Sequence, residues 1–405
     1  MSLVQKQATR PCPITGDRTV VVLHHQQFVL AQDNPLPSAY DVVWSPRGGF
    51  AYADTPAEQV VYDQYYAGRS KYEDNVTSTG GGASPSDLVR IEQTAADIAK
   101  LFPNRRAKIV DIGCANGGLL QALKNLGYDS LLGVDPSPSC VESVRAVPGI
   151  DATVGGILTL PRLADGAEMV LLSHVLEHIY DLRRAVRAVA NALASKGILY
   201  VEVPDAARYR DFIVAPFQDF NTEHINHFSL VSLRNLFQSQ GFEFISAGTR
   251  TVDSTPGCPY PVLFALFRKS AKPVVGFDYR RDNEFLESIQ EYVVRSRAKL
   301  RLMESRINQW SRSRAPIIVW GTGELTMKLL AETSLRDANI VAFVDGNPVN
   351  QGKTLVGREI YAPRELQQRF GESPSILVAT LLHQQAIARI IREDLKLSNQ
   401  IIGLN

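Results

Sequence analysis

Along this chain the spacing of apolar positions changes several times, and each change marks a new kind of structure. Over residues 1–80 the pattern is one of short strands and turns, with VVVLHHQQFVL (20–30) as the clearest strand and Pro/Gly clusters around it. This stretch runs into TSTGGGASPSD (77–87), whose Gly/Ser content makes it a hinge or lid candidate. From Asp87 the period becomes helical (DLVRIEQTAADIAKLF), and Pro103 stops it. The short apolar runs KIVDIG (108–113), SLLGVD (130–135), EMVLLS (168–173) and GILYVEVP (197–204) follow, each leading into a helix-like stretch, through about residue 270. Such alternation predicts a mostly parallel sheet with helices on both faces. Residues 280–312 lack Gly and Pro and carry apolar residues at helical spacing, which predicts one long helix. Beyond it APIIVWGTGELTMKLLAET, NIVAFVDGNP, SILVAT and AIARIIREDL repeat the strand and helix alternation in a smaller unit. The expected fold class is α/β. A small β-rich module (1–80) precedes a doubly wound, mostly parallel sheet (81–275), a connecting helix (276–312) and a second, smaller α/β domain (313–405).

Composition narrows the function classes. At 405 residues the chain exceeds one ordinary core. Its 43 basic and 42 acidic residues give no footprint for nucleic acid or an anionic membrane. No apolar run approaches the ~18 residues of a spanning helix. The opening MSLVQKQATR has no apolar core of a signal peptide, and Cys12, Cys114, Cys140 and Cys258 are too scattered for a disulfide framework. We therefore expect a cytoplasmic protein, monomer or homodimer, whose partner is a small molecule.

The chemistry begins at Asp111-Ile-Gly113-Cys-Ala-Asn116-Gly117-Gly118, a strand end running into a glycine-rich turn. Glycine removes the Cβ that would keep a ligand away from backbone amides and from the start of the next helix. About twenty residues on, Asp135 ends the next strand, where a carboxylate can hold ribose hydroxyls. Ala115 stands where a dinucleotide-binding turn has its second glycine, so provision for a pyrophosphate is reduced. In order and spacing, VDIGCANGGLLQALKNLGY, LLGVDPS, LLSHVLEHIYD and LYVEVPD resemble the motifs of class I S-adenosylmethionine-dependent methyltransferases, a Rossmann-like fold, over residues 85–270. The resemblance implies S-adenosylmethionine as cofactor. It puts Asp111, Gly113 and Gly117, with Cys114 and Asn116 of the same turn, at the methionine end. Asp135 and the following Pro136 would lie at the ribose, and His174 would border the sulfonium or the acceptor. Leu158 falls near where adenine is usually read, but the acidic residue often found there is not obvious, and that contact stays open.

Two histidine clusters bear on the acceptor. His174-Val-Leu-Glu177-His178 has the H-x-x-E-H spacing of inverted zinc proteases, but no distant third ligand is evident in the sequence. No metal is expected; His178 reads as part of the following helix, with Glu177 near its N-terminal dipole. The second cluster, FNTEHINHFSLVSLRNLFQSQGF (220–242), puts Glu223, His224 and His227 before a helix starting after Ser229. It resembles the Glu-His segment of nucleotide-sugar C-methyltransferases, whose histidine is thought to deprotonate a carbon beside a ketone. An imidazole with a pKa of about 6.5 suits such a proton transfer, and a neighbouring carboxylate can orient it. By this resemblance His224 is the base and Glu223 its orienting partner. The alternative is that the pair caps the helix or ties down a loop.

That family has three parts: an N-terminal zinc module, the methyltransferase domain, and a Rossmann-like C-terminal domain that helps hold the nucleotide sugar. Its zinc module uses two C-x-x-C pairs, and the corresponding places here are Cys12-Pro-Ile-Thr15 and Ser45-Pro-Arg-Gly48. Three of four ligands are missing, and His24 and His25 point to opposite faces of a strand, so a degenerate module without zinc is expected. The family's Tyr-x-Glu-His appears as Asn221-Thr222-Glu223-His224, and its Gly-Gly-Ser stretch as Pro256-Gly-Cys258-Pro-Tyr260-Pro. Tyr65, Tyr66, Ser70, Lys71 and Tyr72 either cover the pocket or pack at a domain junction. Gly321-Thr-Gly323-Glu324 and Asp345 repeat the turn and acidic strand end on a small scale. They could hold a nicotinamide cofactor, the nucleotide portion of a substrate, or nothing, as scaffold. The acceptor-side set is thus Tyr65, Tyr66, Tyr72, Asn221, His227, Gly321, Gly323, Glu324 and Asp345. The expected reaction is C-methylation of a nucleotide-linked sugar or related intermediate, with O-methylation or non-catalytic cofactor binding as alternatives.

Overall fold

Ser84 starts the first long helix: its hydroxyl accepts the amide of Asp87 at 3.2 Å, and Pro85 sits in the first turn, where a missing N–H costs nothing. The computed structural model describes residues 4–32, 34–68, 84–160, 162–255, 257–270 and 276–404. Ser70, Lys71, Tyr72, Pro256 and residues 77–83 of the Gly/Ser run lie outside them. The described elements are β1 (Val4–Gln7), β2 (Thr19–Gln27), β3 (Ala39–Ser45), β4 (Phe50–Asp54), α1 (Gln59–Gly68), α2 (Pro85–Leu101), β5 (Ile109–Ile112), α3 (Gly118–Asn125), β6 (Leu131–Asp135), α4 (Pro138–Arg145), β7 (Asp151–Val154), β8 (Ala167–Ser173), α5 (Leu182–Ala192) and β9 (Leu193–Pro204). They continue with β10 (Asn226–His227), α6 (Leu230–Gln238), β11 (Phe242–Thr255), β12 (Cys258–Lys269), α7 (Asn283–Ser313), β13 (Ile317–Trp320), α8 (Glu324–Glu332), β14 (Ile340–Val344), β15 (Thr354–Leu355), β16 (Arg358–Tyr361), α9 (Leu366–Phe370), β17 (Ser375–Val378), α10 (Gln384–Arg389) and β18 (Ile401–Gly403).

The chain divides into two compact units. The first comprises Met1–Leu23, Asp41–Phe212 and Glu223–Ile289; the second comprises His24–Tyr40, Ile213–Thr222 and Gln290–Asn405.

At the centre of the first unit is a seven-stranded sheet in the order β11-β12-β9-β8-β5-β6-β7. Strands β5 to β9 run parallel, and β12 is antiparallel to both β9 and β11. Side chains alternate between two buried layers. Val110, Ile112, Val134, Val170, Leu172, Val201 and Val203 pack on one side with α5 and α6, through Leu182, Val186, Leu233 and Phe237. Ile109, Leu131, Met169, Leu171 and Tyr200 pack on the other with α2, α3 and α4, through Ile91, Ile98, Leu120 and Val144. Coverage on both faces is why these strands read as near-continuous apolar runs. The expected α/β class with a doubly wound sheet is the fold observed. A second sheet, β1-β2-β3-β4-β10, is antiparallel in its β1–β2, β3–β4 and β4–β10 pairings.

The second unit holds a six-stranded sheet in the order β15-β16-β14-β13-β17-β18, parallel except at β15. Ile317, Val319, Phe343 and Leu377 face Met303, Ile307 and Leu329. Ile318, Trp320, Val344 and Val378 face Leu366, Ile391 and Leu397.

Candidate functional site

Strand β5 delivers Asp111 and then turns through Gly113, at φ +74°, and Gly117, at φ +81°. Each glycine is needed twice over, for the backbone conformation and for space. A Cβ at Gly113 would stand 2.8 Å from Val175 Cγ2, and one at Gly117 2.8 Å from Val144 Cγ2. The adjoining strand closes the turn: Asp135 accepts the amides of Ala115 and Ser137, each at 2.9 Å, so its carboxylate braces the glycine loop and the start of α4 beyond Pro136. Burial raises its pKa despite those two bonds. Asp111 is buried too, and burial reinforced by the charge of Asp135 pushes its carboxyl up to about 8. Cys114 turns its thiol into the core against Gly133, so only its backbone is available to a ligand in the turn. Asn116 follows, half-buried, in the same loop.

Val175, which meets Gly113, follows His174, a non-glycine residue held at φ +57°. The His174 amide donates to the Glu202 carbonyl at 2.8 Å. Its imidazole lies between two buried carboxylates, Nδ1 at 3.1 Å from Glu177 Oε1 and Nε2 at 3.4 Å from Glu202 Oε1. Glu202 is also bonded by Arg250, by the Tyr200 hydroxyl at 2.7 Å and by the Thr94 hydroxyl at 3.4 Å, and Arg250 bridges on to Asp97 at 2.7 Å. Sequence reasoning missed Glu202 and Arg250. The available signal was a lone acid inside the apolar strand LYVEVP, since a charge in a doubly covered strand must be paired. The expectation for His178 is corrected here. A single 3-10 turn spans Leu176–His178, and α5 begins only at Leu182, capped by Asp181, so Glu177 and His178 belong to a loop.

The two histidine clusters meet in that loop. Glu177 O accepts the amide of Ile225 at 2.8 Å, and the His178 and His224 rings lie edge to face with centroids 4.9 Å apart. Glu223 accepts from the Tyr65 hydroxyl at 3.3 Å and the Tyr66 hydroxyl at 3.0 Å, and Tyr66 also contacts His178 Nδ1 at 2.8 Å. Both tyrosines come from α1, which is tied to the same loop by Gln59 accepting the Tyr180 amide at 2.8 Å. Helix α6 is capped by Ser229, whose hydroxyl accepts the Ser232 amide at 3.2 Å, so Glu223 and His224 are not its cap.

A residue absent from the sequence reading holds this arrangement together. Arg10 is fully buried, and its guanidinium donates to the carbonyls of Ala53 (3.2 Å), Ile225 (3.0 Å), Ile179 (3.2 Å) and Tyr180 (2.7 Å) and to Asn226 Oδ1 (2.9 Å). Asn226 in turn donates to Leu176 O at 2.8 Å and Ile179 O at 2.7 Å. The segments carrying Glu177–His178 and Glu223–His224 are thus clamped by one side chain from the β-rich module.

Other expected residues fall elsewhere. His227 is fully buried in β10, edge-on to Tyr209, and burial pushes its pKa down to about 3; it is a neutral residue of the interior, not of an acceptor surface. In the second unit, Asn221 offers its carbonyl to the Tyr40 hydroxyl at 2.7 Å, and Thr222 donates to Glu324 at 2.6 Å. Gly321 turns at φ +100°, and Gly323 precedes α8. Asp345 is occupied by its own surroundings: it accepts the Thr322 amide at 3.0 Å and hydroxyl, the Asn347 amide at 2.8 Å and the Asn350 side chain at 3.2 Å. His24 is buried and His25 exposed, as neighbours on a strand should be. The turn at Cys12–Thr15 meets that at Ser45–Gly48: a Cβ on Gly48 would lie 3.2 Å from both Cys12 Sγ and Ser45 Oγ and 3.3 Å from Thr15 Cγ2. Tyr72 lies outside the described residues.

Residues 89–247 match a family described as a methyltransferase domain, and residues 313–402 a family described as C2185-like, N-terminal. Among curated proteins, the ubiquinone biosynthesis O-methyltransferase of Bartonella quintana is 31% identical over 110 residues, 26% of this chain and 44% of that protein. The C-methyltransferase NovU of Streptomyces niveus is 30% identical over 156 residues, 36% of this chain and 34% of that protein. A probable S-adenosylmethionine-dependent methyltransferase of Mycolicibacterium smegmatis is 24% identical over 157 residues, 37% of this chain and 60% of that protein. These matches therefore span less than two thirds of each relative. Among the described residues no helix is long and apolar enough to cross a membrane. The glycine turn between Asp111 and Gly118 and the parallel strands β5 to β9 thus lie within the stretch that matches a methyltransferase domain.

Proposed function

We propose that the protein transfers the methyl group of S-adenosylmethionine to a carbon of a small-molecule acceptor, a nucleotide-linked sugar or related intermediate, with His224 as base. The observation that carries this reading is the convergence of Glu223 and His224 on the loop whose Val175 abuts the Gly113 turn. In the proposed step His224 removes a proton from the carbon beside a carbonyl. The electron pair left behind forms the new C–CH3 bond as the S–CH3 bond breaks, and S-adenosylhomocysteine leaves. The sulfonium is already a strong donor, so alignment and a nucleophile are what the protein must supply. Glu223 fixes the Tyr65 and Tyr66 hydroxyls, and the Arg10 clamp fixes the backbone beneath them. The same base would serve a hydroxyl, and the likeness to an O-methyltransferase supports that second reading. The Gly321–Glu324 turn we read as scaffold: Asp345 is satisfied by its own turn, and Glu324 places a negative charge at the start of α8, where a phosphate would otherwise be welcome.

S-adenosylhomocysteine should raise the melting temperature of both the unaltered protein and His224→Ala. With a panel of nucleotide-linked keto sugars as acceptors, the variant should lose about 10²- to 10⁴-fold in methyl transfer. Full activity in the variant would remove His224 as base, and NMR of the product separates carbon from oxygen methylation.

A further inference from the structure

Folding brings His224 beside Glu177 and His178 of the H-x-x-E-H segment, in a grouping that leaves out His174 and so differs from that motif's own ligand pattern. One candidate ligand atom from each of Glu177, His178 and His224 lies within 4.8 Å of the others. The orientation of two of these side chains is already fixed. Glu177 is 1% exposed; its Oε1 is engaged by His174, whereas its Oε2 is buried with no hydrogen-bond partner among the described residues. A buried carboxylate oxygen left in that state is costly unless a hydrogen-bond donor or a cation reaches it. His178 Nδ1 lies 3.1 Å from the carbonyl of Glu223, which can only accept, and 2.8 Å from the Tyr66 hydroxyl; with the Tyr66 proton given to Glu223, both contacts place the ring proton on Nδ1 and leave the lone pair of the neutral ring on Nε2. A metal-bound histidine almost always donates its other nitrogen to a carbonyl or carboxylate in this way.

We propose that Glu177, His178 and His224 form a site for a borderline divalent transition metal ion, zinc foremost. Two imidazoles and one carboxylate are the donor set of a three-ligand zinc site with an open fourth position. Ligands about 2 Å from a common ion lie closer together than this, so binding would draw the three donors inward. The functional consequence rests on the reading of His224 as base: the lone pair that would take the acceptor's proton is the one a metal would take. Occupancy and proton abstraction therefore exclude each other, and zinc inhibits methyl transfer reversibly.

The test is calorimetric titration of the full-length, chelator-treated protein with Zn²⁺. One ion should bind per chain, and Glu177→Gln and His178→Gln should each weaken it at least about tenfold while still responding to S-adenosylhomocysteine, which checks their folding. Should the variants fail to fold, Co²⁺ added to the unaltered protein should give the intense visible absorption of a four-coordinate ion, discharged by Zn²⁺. Absence of binding and of that absorption, or binding indifferent to both substitutions, overturns the site. Inhibition over the same zinc concentrations that fill the site, reversed by chelator, supports it in full. Binding without inhibition leaves the site standing and overturns His224 as base.

Discussion

Asp111 is an acid whose burial favours the protonated form. Its carboxyl moves from an ordinary 3.8 to about 8, through burial and then the charge of Asp135. A raised carboxyl contributes full stability below its unfolded pKa and loses that contribution as pH rises through the folded one, so the protein assayed without added cofactor should weaken between about pH 4 and pH 8. On the proposal that Asp111 lies at the methionine end of the cofactor, the ammonium group there favours the charged form, so binding should expel the proton. Calorimetry at pH 7 in buffers of different ionisation enthalpy should report about one proton released on cofactor binding. The dissociation constant should tighten as pH rises toward 8, and Asp111→Asn should abolish both effects. At this scale the glycines and terminal acids of the strands were legible, because a close approach admits few residue types. Glu202 and Arg250 were not: each is a single charge without periodicity, and its meaning appears only when β9 and β11 share a sheet.

Among the elements, strands β5, β6 and β8 and helix α7 follow the apolar pattern to within a few residues. The loop Leu176–His178 did not, because spacings of three and four suit a 3-10 turn as well as an α-helix, and nothing in the sequence announces the φ of +57° at His174. The order in that loop is instead imposed by Arg10. Arg10→Met should strand several buried carbonyls, each worth about 1–3 kcal/mol. We expect a lower urea midpoint and a loss of methyl transfer larger than any loss of S-adenosylhomocysteine binding. The meeting of Cys12, Thr15, Ser45 and Gly48 makes a second prediction. Thr15→Cys, Ser45→Cys and Gly48→Cys combined should give four thiolates around one point. Native mass spectrometry should then find one tightly held zinc in this module; its absence would show that these turns do not have the geometry of paired ligand knuckles.

For the molecule as a whole, sequence order and spatial grouping part company. The chain changes unit at 23/24, 40/41, 212/213, 222/223 and 289/290, because His24–Tyr40 and Ile213–Thr222 belong with the C-terminal sheet. Hydrophobic period cannot reveal this, since it reports which face is buried and not which unit buries it. Phe28, Phe217 and Phe220 on those two inserted segments are buried, and His24 stacks on Phe217 at 4.0 Å. A chain cut after Ile289 should leave those rings uncovered, and gel filtration should show aggregation where the full chain runs as a discrete species. Glu223 and His224, the proposed acceptor machinery, are the first two residues after the crossing at 222/223. Recombination that exchanged everything after the long helix would leave two orphaned segments behind, one of them joined directly to that pair. Such a protein can diversify its two halves only together, by point substitution, and not by trading one half for another.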